Sequence, residues 1–212
     1  MIFLSSKNYK KDEMLDLLEK GYNLELRMDL IDIDFNSFSE IVEKYKNLII
    51  TFKNITTFYQ KSKYLSKVFE ENIKYIDIDI KDYPGIQKEL RKFEKISKTG
   101  IILSYHNYKR TPEKYYLDKI VKKALNYNPD IIKIATLVDE TKDIFRLLGL
   151  MENKKVFSFG MGQKGLPLRI ILKYLNYPVE YAAVEDKQKT AKYQLTLEKL
   201  KKIRGEIDEL LF

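Results

Sequence analysis

Short apolar runs alternate with segments of helical period from one end of the chain to the other. The runs predict strands near residues 2–5, 23–29, 47–52, 75–80, 99–105, 131–137, 155–160 and 179–184. The segments between them predict helices at 11–20, 37–46, 61–71, 84–95, 112–125, 139–149, 165–175 and 190–204. Thr111–Pro112 reads as a helix start, and Gly21 and Gly149 as helix stops. Strand–helix units repeated in this way over 212 residues predict an α/β fold, a single (β/α)8 TIM barrel spanning residues 1–212. An open doubly wound sheet is the rival arrangement.

Several of the strands carry charge in a pattern of two. In Asn23-Leu24-Glu25-Leu26-Arg27-Met28-Asp29, the charged Glu25, Arg27 and Asp29 share one face and the apolar residues the other. Asp77 and Asp79 repeat the pattern in Tyr75–Ile80. In a barrel the apolar face packs under helices, so the charged face points inward, where unpaired charge is costly. The alternatives are an internal salt-bridge layer and a set of groups converging on a ligand.

The single histidine, His106, follows the apolar run 101–105, and Lys133 lies inside the run Ile131–Ala135. Burial favours the uncharged amine of a lysine, which can attack a ketone, and a nearby histidine can move protons near neutral pH. The pair suggests Schiff-base chemistry; the plainer alternative puts both at a barrel rim in structural roles. The glycines of Phe159-Gly160-Met161-Gly162-Gln163-Lys164-Gly165 would let backbone approach a ligand, and Arg169 just beyond could grip a carboxylate. No Gly-Lys-Ser/Thr ending is present, so the stretch is not a P-loop.

A formal net charge of +8 raises the question of nucleic acid. The lysine pairs 10–11, 122–123, 154–155 and 201–202 fall in predicted helices and turns among Glu and Asp, as on a solvated face, so no nucleic-acid partner is expected. The same excess would attract an anionic metabolite. With no cysteine there are no disulfides or thiolate metal sites, and one histidine argues against a histidine-based metal site. The N-terminus has neither the length nor the order of a signal peptide or membrane span, which leads to the expectation of a soluble cytoplasmic protein without membrane partners.

The segments Glu25–Asp29, Tyr75–Ile80, Ser104-Tyr105-His106 with Thr111-Pro112, Asp130–Ala135, Met161-Gly162 with Gly165 and Arg169, and Ala191–Gln194 follow one another in a familiar order. In that order the chain resembles the type I 3-dehydroquinate dehydratases, Schiff-base enzymes of the shikimate pathway. The resemblance implies a (β/α)8 barrel that converts 3-dehydroquinate to 3-dehydroshikimate without a cofactor, often as a homodimer. It implies that Lys133 forms the imine and that His106 takes the C2 proton and returns it to the departing C1 hydroxyl. It also implies that Asp79 orients His106 and favours its imidazolium form. Arg169 and Gln194 would then bind the substrate carboxylate and Glu25 and Arg27 the ring hydroxyls, with Ser5, Lys53 and Thr190 as further contacts. Glu185–Gln194 resembles the family's lid loop.

The chain departs from the family pattern at several of these positions. Asp79 replaces a glutamate, Lys53 an arginine, Thr190 a serine, and Lys192-Tyr193 a Pro-Gly pair. Two other functions fit the same residues less fully: another Schiff-base barrel enzyme of class I aldolase type, and a basic nucleic-acid-binding protein built on an inert barrel.

Overall fold

The structure, a computed structural model, describes residues 1–5, 7–53, 62–93, 96–186 and 189–211. Its strands are β1 (Ile2–Ser5), β2 (Asn23–Arg27), β3 (Leu48–Phe52), β4 (Tyr75–Asp79), β5 (Gly100–Asn107), β6 (Ile131–Leu137), β7 (Val156–Met161) and β8 (Glu180–Ala182). The helices among the described residues are α1 (Lys11–Glu19), α2 (Phe35–Lys44), α3 (Ser62–Glu70), α4 (Tyr83–Phe93), α5 (Lys114–Leu125), α6 (Thr141–Leu150), α7 (Leu166–Ile171) and α8 (Leu197–Leu211). Lys61, Glu94 and Lys95, at the edges of two predicted helices, and Lys187 and Gln188, in the expected lid, lie outside the described residues.

All the strand pairings are parallel, and the sheet runs β7-β6-β5-β4-β3-β2-β1-β8. This order winds in one direction throughout, as a (β/α)8 barrel does; a doubly wound sheet would reverse at a switch point. Alternation along the strands divides the core in two. Leu24, Leu26, Ile50, Ile76, Ile78, Leu103 and Ile132 face the helices, while Phe3, Ile49, Ile102, Phe157 and Phe159 fill the barrel. Between β7 and β8 no ladder is formed among the described residues. The seam is closed by rings instead: Phe159 meets Tyr181 edge-on at 5.4 Å, and Phe157 lies 4.9 Å from Tyr177.

Three predicted boundaries are corrected. The helix predicted at 190–204 is α8, which begins only at Leu197; the chain before it forms a turn and pairs back through Ala183 and Thr196. Gly149 is interior to α6 and stops nothing, because the helix's buried stripe continues to Leu150. Thr111 starts no helix: its hydroxyl reaches Thr136 Oγ1 (2.8 Å) and donates to the Leu137 carbonyl (2.7 Å), and α5 begins at Lys114. Gly21, by contrast, follows α1 with φ +82°, a left-handed conformation that suits glycine.

Candidate active site

At the C-terminal end of the strands the barrel opens into a small cavity. The inward positions of β2, β5 and β6 place Glu25, Arg27, His106 and Lys133 on its wall, Lys53 joins from just beyond β3, and Ser5 from β1. Arg169 reaches in from α7, and Thr190 and Gln194 come from the turn before α8. Of the residues expected at the site, Asp79 alone is absent from this wall. The charged face of the strands therefore does point inward, and its groups both pair with one another and line a cavity.

Lys133 is 7% exposed and sits against two acids. Its Nζ donates to Asp77 Oδ2 at 2.9 Å, lies 3.8 Å from Glu25 Oε1, and stands 3.9 Å from the centre of the Tyr181 ring. Burial is the largest influence and favours the free amine, but Asp77, Tyr181 and Glu25 together outweigh it and hold the lysine above its ordinary pKa. The uncharged amine expected from burial alone is thus corrected: Lys133 rests as an ammonium. Asp77, fully buried, is held below the usual carboxylate range chiefly by Lys133 and Lys53 despite its burial.

His106 has the opposite character. Burial first, then the neighbouring Lys53 and Lys133, push its pKa well below the ordinary histidine value, so the ring is neutral. The imidazolium expected from a carboxylate partner is corrected with its cause. Asp79 forms no hydrogen bond to His106 among the described residues; it ends β4, and its Oδ1 accepts from the Lys81 N–H (3.1 Å) to hold the following turn. The place beside the ring is taken by Lys53, whose Nζ lies 3.4 Å from His106 Nδ1 and 2.7 Å from Ser104 Oγ.

The remaining groups differ in how far they are committed to protein partners. Arg27 is gripped by Asp29 through Nε (2.8 Å) and Nη2 (2.7 Å), and Glu25 accepts from Thr51 Oγ1 (2.7 Å). Gln194 Oε1 accepts from the Thr190 N–H (3.0 Å) and hydroxyl (2.8 Å), which leaves its amide N–H groups for the cavity. Arg169 donates through Nε to the Gly160 carbonyl (3.1 Å), and no carboxylate pairs with it among the described residues. Its burial without a counter-ion lowers its pKa to about 10. A partly buried guanidinium with no acid partner is a receptor for an anion.

The glycines around β7 serve a different purpose from the one expected. Gly160 and Gly165 lie against each other: a Cβ on Gly165 would come within 2.4 Å of the Gly160 carbonyl carbon. They bring backbone to backbone rather than backbone to ligand, and this contact sets where α7 and Arg169 begin. Asp77, Tyr108 and Tyr181 were not assigned to the site from sequence. The alternation in Tyr75–Ile80 put Asp77 on the inward face, and the register Thr51–Asp77–Ile102 fixes it there. For Tyr108, whose ring stacks on His106 at 6.0 Å, no signal existed in the sequence.

A parallel (β/α)8 barrel that gathers a buried lysine, a neutral histidine and an unpaired arginine at the catalytic end of its strands is an enzyme of small anionic molecules. The chain belongs to the type I 3-dehydroquinase family, a family of hydro-lyases, whose sequence model matches residues 24–210. It is 36% identical to a 3-dehydroquinate dehydratase of Methanocaldococcus jannaschii over 143 residues, 66% of this chain and 63% of that protein. It is 32% identical to the 3-dehydroquinate dehydratase of Pyrococcus abyssi over 206 residues, 95% of this chain and 85% of that one. The crystal structure of 3-dehydroquinate dehydratase from Geobacillus kaustophilus shares the fold with a TM-score of 0.80 at 16% identity, covering 98% of this chain and 91% of that one.

Proposed function

We propose that the protein removes water from 3-dehydroquinate through an imine on Lys133, working as one catalytic barrel domain. The observation that carries this reading is the placement of the Lys133 amine and the unpaired Arg169 guanidinium on one cavity wall with a neutral imidazole. Arg169 and the free amide edge of Gln194 take the substrate carboxylate, with Thr190 holding Gln194 in place. Ser5, Glu25 and Arg27 face the ring hydroxyls. The Lys133 ammonium gives up a proton, attacks the C3 carbonyl and releases water to form the iminium. His106 removes the C2 proton, and the electron pair enters the iminium. His106 then protonates the C1 hydroxyl as it leaves, and water hydrolyses the remaining imine to free product and lysine.

The test is mass spectrometry after treatment with 3-dehydroquinate and borohydride, with enone absorbance followed in parallel. The wild type gains a covalent adduct and produces the conjugated product, while Lys133→Ala does neither yet keeps its fold. Turnover retained in Lys133→Ala would refute the imine route. The same reading takes the protein to be a cytoplasmic homodimer; no helix among the described residues is long and apolar enough to cross a membrane. Sedimentation of the purified protein as a monomer at working concentration would remove the dimer from this reading.

A further inference from the structure

Three groups packed against Lys133 attract its charge, and they differ in what they ask of its hydrogens. Asp77 Oδ2 takes an N–H at 2.9 Å, and Glu25 Oε1 lies at 3.8 Å. The third is not an acid: Nζ stands over the ring of Tyr181, 3.9 Å from its centre. An aromatic face attracts a cation through its quadrupole and needs no particular hydrogen to do so. We propose that Tyr181 is a catalytic residue of the imine route, its ring face holding the nitrogen of Lys133 in cationic form once the ammonium has become an iminium.

Tyr181 comes to this place from β8, where it pairs with Phe3 of β1, and its ring is set edge-on against Phe159 at 5.4 Å. β7 lies between β6 and the seam with β8, so the ring meets Lys133 across the barrel interior. The same ring lines the cavity into which Arg169 and Gln194 open. Its hydroxyl is buried and has no hydrogen-bond partner among the described residues, which leaves the hold on the nitrogen to the ring.

This role deepens the imine reading and rests on it. When the Lys133 ammonium condenses with a ketone, two of its three hydrogens leave with the carbonyl oxygen as water, and the positive charge stays on nitrogen. The iminium keeps one N–H, enough for Asp77 alone. The ring attracts the flat iminium as it attracted the ammonium. When C2 gives its proton to His106, the electron pair reaches nitrogen and cancels the charge; departure of the C1 hydroxyl, with the proton from His106, restores it. The ring therefore favours the iminium on either side of the enamine and keeps the nitrogen from shedding its last proton, without which it is a weaker electron sink. The other titratable groups facing this nitrogen are Asp77 from β4, Glu25 from β2, Lys53 from beyond β3 and His106 from β5. The two acids favour the cation and Lys53 opposes it, and all of them stay in place when only the ring is changed.

The test reads the proton of the imine rather than turnover. Cinnamaldehyde forms with lysine an imine whose absorbance moves to longer wavelength on protonation, and Lys133→Ala supplies the background from other lysines. The pH at which the Lys133 imine loses its proton is measured in the wild type, in Tyr181→Phe, in Tyr181→Leu, and with phenylalanines bearing one, two and three ring fluorines at position 181. Fluorine draws electron density from the face while keeping its shape, so an electrostatic role responds to it and a packing role does not. The expected midpoint stays close to wild type in Tyr181→Phe, falls step by step with fluorine, and lies about one pH unit lower in Tyr181→Leu. A midpoint indifferent to fluorine would overturn the proposal. So would a Tyr181→Phe midpoint as low as that of Tyr181→Leu, which would give the effect to the hydroxyl. Absence of any imine above the Lys133→Ala background would instead remove the imine reading itself, so the two failures are told apart.

Discussion

Asp77 lies at 0% exposure between two amines, 2.9 Å from Lys133 and 3.6 Å from Lys53, and much of the electrostatics of the cavity turns on it. Its folded pKa is depressed, so the stability it contributes is present above an unfolded pKa of about 4 and is lost as pH falls through the folded value. Lys133 is raised, so its contribution is present below about pH 10.4 and is lost as pH rises through its folded value. The pair thus supports the fold in full between those limits. Asp77→Asn leaves the buried ammonium with only the more distant Glu25 (3.8 Å), with an expected loss of about 3 kcal/mol in urea unfolding at pH 7. It also releases Lys133 toward the free amine, so the pH at which borohydride traps half of a small ketone on the lysine moves down. An unchanged trapping midpoint would mean that Asp77 is not what keeps Lys133 charged.

α7 shows how one element's position decides what a side chain can do. The helix is set at its start by the Gly160–Gly165 contact, and Arg204 of α8 holds it from behind: Arg204 donates to the carbonyls of Arg169 (2.9 Å) and Ile170 (3.1 Å) and pairs with the buried Glu180. Gly165→Ala places a Cβ where the Gly160 backbone already is, so the helix start must move and carry Arg169 with it. The expected outcome is a KM for 3-dehydroquinate raised at least ~10-fold, the scale of one charge-assisted hydrogen bond, while imine trapping of a ketone without a carboxylate is unchanged. Equal damage to both substrates would mean the glycine contact supports the barrel as a whole rather than the carboxylate grip. Sequence alone placed Arg169 near a ligand because Arg follows a strand end and a glycine-bearing turn. It could not show that Gly160 and Gly165 touch, since that depends on a chain reversal. Nor could it show that Asp79 would spend its carboxylate on the Lys81 N–H, a local side-chain-to-backbone bond that competes with any longer-range partner.

Across the whole molecule, the strands were legible because strands buried on both faces read as short apolar runs, with charge alternating in β2 and β4, while α8 was misplaced because 190–196 has helical composition but spends its backbone on a turn and on Ala183. That pairing ties the site to the weakest part of the barrel. β8 forms a ladder with β1 over only three residue pairs and none with β7 among the described residues, where rings stand in for hydrogen bonds. β5, laddered on both sides, is held far more firmly. Opening free energy follows such differences, so native-state hydrogen exchange is expected to be faster at the amides of 181–183 than at those of 101–106. The Ala183 N–H is bonded to the Leu195 carbonyl (2.8 Å) and the Leu197 N–H to the Ala183 carbonyl (2.9 Å), directly after Gln194. An anionic ligand gripped by Arg169 and Gln194 would therefore fasten the turn onto β8, and Tyr181, lying over Lys133, would be fastened with it. Exchange at 181–183 should slow on ligand binding by more than exchange in β5, whose opening the ligand does not control. Uniform slowing across all strands would instead mean that the barrel opens only as a unit, with the aromatic seam as strong as a ladder.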